Sequence, residues 1–292
     1  MSRKLFKKIY LKANKALGSI TGYQLHRTNK VDLDIANFLH DPREASYHRL
    51  NCPFFMFLKV SQGGNWLYSK FESPSSCVYF NATHKALNLL GDDLFYDAVK
   101  KEINRYREKV KIINPNELLG LEANESQFDI DSKPFEMVLP WDNRQPKTVA
   151  NSIYSNISKE NERYGLKTDE VLTHYNCSIN KVNIETQRLS SLIESIVNKG
   201  YEFDEMDPII VDILTHGDQY VWRVIGGQHR AAVLAALGYK KVLVRINKII
   251  RREESSFWPA VKSGYYNERS ALKVFDRCFH GKPPGAFGDY LS

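Results

Sequence analysis

The sequence has no stretch approaching the roughly 18–20 consecutive apolar residues that a bilayer span needs. No long apolar run follows its first lysines either, so no secretory signal is expected. It has four cysteines, Cys52, Cys77, Cys177 and Cys278, with no CxxC pair and no Cys/His cluster. That spacing suggests neither a zinc site nor a disulfide framework, and scattered free thiols suit a reducing cytoplasm. No internal repeat is visible. What remains is 292 residues, 42% hydrophobic and 26% charged, the composition of a soluble globular protein with one large domain or two ordinary ones.

Acidic residues are missing from one place in particular. Residues 1–17 carry Arg3, Lys4, Lys7, Lys8, Lys12 and Lys15 and no acid, which gives +6 of the chain's net +7. Between Asp131 and Ile250, 15 basic side chains meet 15 acidic ones. No field of one sign therefore steers a ligand to that middle region, and specific DNA binding is not expected of it. At 100° per residue Leu5, Phe6, Ile9, Tyr10, Ala13, Ala16 and Leu17 fall within about 140° of arc. Gly18 is placed to cap such a helix. Two readings stand: a helix lying on an anionic membrane surface through residues 3–17, or one that docks its apolar face on the protein and shows lysines to water. The first would make the protein cytoplasmic and peripheral on the inner face of the membrane.

Four segments follow from the patterning: a basic amphipathic helix (1–21), an N-terminal α/β region (22–130), a second α/β domain (131–250) and a helical tail (251–292). In the second segment "CPFFMFLKV" (52–60) and "SSCVYFNA" (75–82) read as buried strands, and residues 83–113 as two helices broken near Gly91, the second capped by Asp92. Trp66, after "SQGGN", is a core or rim aromatic or a pocket wall. Residues 114–134 are polar and turn-rich, a linker by composition. "FEMVLPW" (135–141) reads as a strand and "ETQRLSSLIESIVNKG" (185–200) as a helix ending at Gly200. "DPIIVDIL" (207–214), a "HGDQ" turn and "YVWRVI" (220–225) make a hairpin; a helix over 229–237 and a strand "KVLVRI" (241–246) follow. In the tail, Trp258, Val261, Leu272, Val274, Phe275 and Phe279 suggest one or two packing helices.

Between strand and helix stands "GGQHR". Gly226 and Gly227 can take positive φ and present no side chain, which leaves backbone N–H groups open at a helix N-terminus. Those amides and the helix dipole favour a phosphate. Arg230 adds a bidentate fork, and Gln228 and His229 add donors. The plain alternative is a tight turn whose polar residues cap the helix.

The stretch 207–246 resembles the ParB/sulfiredoxin superfamily. The resemblance rests on Pro208, Ile209, Ile210 and Val211, then Gly226, Gly227, His229 and Arg230, then Ala231, Ala232, Gly238 and Val242 to Val244. It covers residues 135–250 and implies an α/β (α+β) fold, a mixed sheet with helices. Sulfiredoxins place a reactive cysteine between Gly-Gly and His-Arg; this chain has Gln228 there, which excludes sulfinic acid repair. Partition proteins follow the domain with a helix-turn-helix module, for which the 42 residues after Ile250 leave little room. The superfamily's small-molecule kinases need neither.

The resemblance thus implies a nucleotide-dependent phosphotransferase acting on a small-molecule or sugar hydroxyl. ATP or another nucleotide would lie on Gly226–Arg230, and Mg2+ would bridge its phosphate oxygens. Kinase members carry a carboxylate ahead of the helix before the Pro-Ile-Val strand. Glu185, at the start of "ETQRLSSLIE", is the nearest candidate and Asp142, after Pro140-Trp141, the second. As residues alone, Glu185 is equally a first-turn acid facing a helix dipole. No cluster of metal ligands stands near the turn, so no protein-held metal and no nuclease site is expected. The basic head with "GYQLHR" (22–27) is similar to the starts of bacterial enzymes of surface-polysaccharide assembly, which implies a glycan or lipid-linked acceptor and a surface antigen as product. The alternative is a ParB-like nucleotide-binding switch or assembly protein without turnover.

Overall fold

A computed structural model of the chain describes residues 41–48, 54–67, 69–129, 131–172 and 177–292. The basic head, the GYQLHR segment and Cys52 lie outside the described residues. In chain order the elements are α1 (Pro42–His48), β1 (Phe54–Lys59), β2 (Gly63–Gly64), α2 (Val78–Ala86), α3 (Leu94–Lys109), α4 (Pro115–Leu119), α5 (Pro146–Glu162) and α6 (Ile179–Lys199). There follow β3 (Ile210–His216), β4 (Gln219–Gly226), α7 (Gln228–Ala236), β5 (Lys241–Arg251), α8 (Pro259–Lys262), α9 (Glu268–His280) and α10 (Gly288–Leu291).

The five strands among the described residues form one mixed sheet in the order β1-β5-β3-β4-β2. β3 and β4 are the expected hairpin, antiparallel about a turn in which Gly217 takes φ 54°. β5 runs parallel to β3 and antiparallel to β1. β2 lies parallel to β4, so strands from both sides of residue 130 share the sheet. Partners across a ladder face the same way, which sorts the two surfaces. Val211, Ile213, Trp222 and Val224 look toward α2 and α7; Trp222 packs on Phe71, which packs in turn on Phe80 of α2. Asp212 and Arg223, paired in register, look the other way. That second face is covered by α9 and by the segment around Trp141, whose ring meets Trp258 and Phe275 edge-on. The tail packs as expected: Trp258, Val274, Phe275 and Phe279 are buried, with Val261 and Leu272 half-buried.

Three local readings change. Residues 75–82 do not form a strand: Val78 onward is α2. Asn81 ties its amide to Ser75, donating to Ser75 O at 2.6 Å and accepting from Ser75 N at 3.3 Å, which fixes the helix entry. Val78, Ala82 and Ala86 enter the main core while Phe80 joins Cys77 and Ala232 in a second cluster. A helix buried on several sides loses the polar stripe by which periodicity recognises it. Residues 135–141 form no strand: a turn at 134–136 and another at 140–141 flank three irregular residues. Their carbonyls go to the tail, Val138 O accepting from the Tyr266 hydroxyl at 2.5 Å and Pro140 O from Ala260 N at 3.1 Å. Within the linker expected over 114–134, residues 114–129 hold α4 and bury Leu118, Leu119, Leu121 and Phe128. Asp92, expected as the cap, lies one residue ahead of the N-cap Asp93, and its Oδ1 accepts from Leu94 N at 2.8 Å. Trp66 is a half-buried rim residue, 5.7 Å from Phe135.

Candidate functional site

The turn after β4 opens a cleft. Gly226 closes the strand opposite Ile210. Of the two glycines only Gly227 takes a positive φ, 77°, and it serves as N-cap of α7. A Cβ there would also sit 3.0 Å from Arg230 Nη2 and 3.2 Å from Ile209 Cα. No side chain caps the first turn of α7, so its leading N–H groups stay available. The cleft in front of them measures about 440 Å³ and is lined by Gly227, Gln228, His229 and Arg230 together with Arg188, Leu192 and Asp207. That volume lies within the range of small-molecule sites, about 300–1,000 Å³.

Arg230 does not point freely into this space. Its Nη2 lies 2.8 Å from Asp207 Oδ1, and its Nη1 donates to the Asp207 carbonyl. Asp207 itself is 77% exposed, so a solvent-facing carboxylate occupies the fork that a phosphate would use.

Beneath the turn lies a buried ion cluster. α6 begins at Ile179, with Ser178 Oγ accepting from Lys181 N at 3.2 Å. Glu185 therefore lies nearly two turns inside the helix, not in its first turn, and is 3% exposed. Its Oε2 is 3.0 Å from His229 Nε2, and its Oε1 is 2.9 Å from Lys181 Nζ and 3.2 Å from Arg188 Nη1. Lys181, also buried, donates to Asn161 Oδ1 at 2.8 Å. Burial works to raise the Glu185 carboxyl, but the His229 hydrogen bond and the charges of His229 and Lys181 hold it below the usual carboxylate range. Tyr79 of α2 covers the His229 ring, with centroids 3.8 Å apart.

Residues 159–257 match the family model of the ParB N-terminal domain. The match covers about a third of the chain, starting inside α5 and ending just past β5. It bears out the resemblance seen in the Pro-Ile-Ile and Gly-Gly-Gln-His-Arg stretches. No curated protein and no solved structure matches the chain. The ParB domain contributes all seven residues that line the cleft, while Tyr79 comes from outside it.

Glu185 and the turn are thus brought together; Asp142 is not brought to them. Its carboxylate receives Arg144 Nε at 2.9 Å and lies near Asp212 and Lys248, on the sheet face opposite α2 and α7. Burial works to raise the Asp142 carboxyl and the Arg144 hydrogen bonds overcome it, leaving it low; Asp212 is instead raised by burial. Sequence reasoning passed over Lys181, Arg188, Asp207 and Tyr79. Lys181 and Arg188 stand four before and three after Glu185, a helical signal that was there to read. Tyr79 was hidden by the strand reading of 75–82. Asp207 carried no signal of its own.

Proposed function

We propose that the cleft binds a nucleotide through its phosphates and that the protein transfers a phosphoryl group to a hydroxyl of a small molecule or glycan. The observation that carries this reading is the uncapped N-terminus of α7, opened by Gly227 and faced by Arg230 and Arg188. The first-turn amides would hold phosphate oxygens, and Arg230 would exchange Asp207 for them. Glu185 has both oxygens engaged and almost no exposure, so it serves to orient His229. His229 lines the cleft and is the group within reach of an acceptor proton. In the transfer the acceptor oxygen bonds to phosphorus, the bond to the nucleoside diphosphate breaks, and His229 takes the hydroxyl proton. Among the described residues no three His, Cys, Asp or Glu side chains group as a metal site. Magnesium, which would offset phosphate charge, would rely on phosphate oxygens and Asp207, an arrangement that one carboxylate suffices to support.

A nucleotide-binding switch without turnover is the second reading, favoured by the saturation of Glu185, whose two oxygens meet Lys181, Arg188 and His229. His229→Gln would leave such a switch intact and stop a kinase. A surface-glycan acceptor and a membrane-facing location belong to the proposal as well. No helix among the described residues is long and apolar enough to cross a membrane.

The test is a thermal-shift titration with ATP, ADP, CTP and GTP, with and without magnesium. One nucleotide should raise Tm, by an amount that grows with ligand concentration. Arg230→Ala should abolish the shift, and Asp207→Asn should enlarge it in the absence of magnesium, by removing the competing carboxylate, while losing whatever magnesium adds. No shift with any nucleotide would reduce "GGQHR" to a well-made turn.

A further inference from the structure

A second cleft among the described residues, about 890 Å³, runs along α9 on the far side of the sheet from the turn. Five lysine and arginine side chains line it against three carboxylates. All three carboxylates are already engaged. Glu125 takes Lys273 at 2.6 Å, Asp276 takes the Arg252 fork at 2.7 and 2.8 Å, and Glu268 accepts from the Ser255 hydroxyl at 2.6 Å. Among the described residues Arg269, Arg277 and Lys282 are left with no ion-pair partner closer than 4.0 Å. Arg269, Lys273 and Arg277 recur every fourth residue, one charge per turn, about 6 Å apart along the helix.

Arg277 is seated rather than loose. Its guanidinium lies over Gly120, where a Cβ would come within 3.0 Å of both Cζ and Nε. Nη1 reaches only the Pro283 carbonyl, at 3.4 Å, and Nε is buried with no partner. A carboxylate entering the cleft would give this guanidinium the counter-charge it lacks.

We infer that this cleft docks an acidic helical segment of a partner protein, with carboxylates two turns apart set against Arg269 and Arg277. Two features favour a peptide over a nucleic acid. The cleft has no Phe, Tyr or Trp on which bases could stack, and its own carboxylates oppose a chain of uniform negative charge. Leu272, between the two arginines on the same wall, offers an apolar contact that an amphipathic helix can match.

Fluorescence anisotropy on the full chain tests this. The probes are a labelled helical peptide with glutamates two turns apart around a leucine, the same peptide with lysines in their place, and labelled single-stranded and duplex DNA. The glutamate peptide should bind at least about tenfold more tightly than the lysine peptide and weaken with salt. The double variant Arg269→Glu/Arg277→Glu, with Tm confirming its fold, should reverse that preference. Equal binding of both peptides, or glutamate-peptide binding untouched by the double variant, would overturn the inference. DNA binding that the variant abolishes would make the cleft a phosphate-backbone surface instead.

Discussion

Two Gly-Gly pairs flank the same strand and do opposite things. Gly63-Gly64 is β2, lying alongside β4 opposite Trp222 and Arg223. A Cβ on Gly63 would overlap the Trp222 ring, and one on Gly64 would overlap the Arg223 guanidinium and the Ser69 carbonyl. Here glycine is required because the space is full. Gly226-Gly227 ends β4, and there glycine is required by a left-handed φ at Gly227 beside an open cleft. One pair admits the protein's own side chains, and the other leaves room for something from outside. The dipeptide itself says nothing about which.

The sharpest way to hold the pairs apart is to fill the first. Gly63→Val should cost about 3 kcal/mol or more, because Trp222 is fully buried and its indole donates to Lys59 O at 2.8 Å. Denaturant unfolding measures the loss, while the folded fraction keeps its nucleotide-dependent shift. If both properties fall together, the pairs are not independent.

Removing the support beneath the second pair comes next. Glu185→Gln leaves Lys181 buried without its counter-charge and should destabilise by about 3 kcal/mol, the lower end for a broken buried pair. The sign with pH follows from the direction of the shift. Glu185 titrates lower in the folded state than its ordinary value of 4.5, so the unfolded chain binds the proton more readily. Its contribution is complete above about pH 4.5 and is lost as pH falls through the lower folded value. Wild type should therefore lose stability more steeply below that point than the Gln variant, as denaturation midpoints across an acid series will show.

The smallest effect on stability is expected at the turn itself. Gly227→Ala forces a Cβ into a left-handed conformation, at about 1–2 kcal/mol, and crowds Arg230. Its effect on ligand should be out of proportion, with the nucleotide shift lost while most stability survives. Calorimetric titration beside a melting curve separates the two. A variant that loses stability but keeps its affinity would move the cradle away from Gly227.

How far the sequence reveals all this depends on how local the cause is. The hairpin of β3 and β4, the turn into α7 and the strand after Gly238 were legible because each is written in neighbouring residues: β-branched runs, a Gly-Asp turn, a glycine stop. The helix at 78–86 was not, because Phe80 faces Ala232 and Tyr79 faces His229, partners some 150 residues distant in sequence. The same holds for 135–141, whose hydrogen bonds come from Ala260 and Tyr266. At the site, Gly226 to Arg230 could be picked out from residue type alone. Of the partners that set their chemistry, Lys181 and Arg188 carry a helical spacing to Glu185, whereas Asp207 and Tyr79 could be found only once the approach to β3 and α2 had been brought to the turn.

The sheet order carries a consequence for anyone wishing to isolate the ParB domain. Its three strands stand in the middle of the sheet, with β1 bonded along the outer side of β5 and β2 along the outer side of β4. Residues 159–257 excised alone would leave both flanks with unpaired backbone groups and strip the cover from Trp222. Such a fragment invites edge-to-edge aggregation, so the N-terminal strands act as built-in guards against self-association.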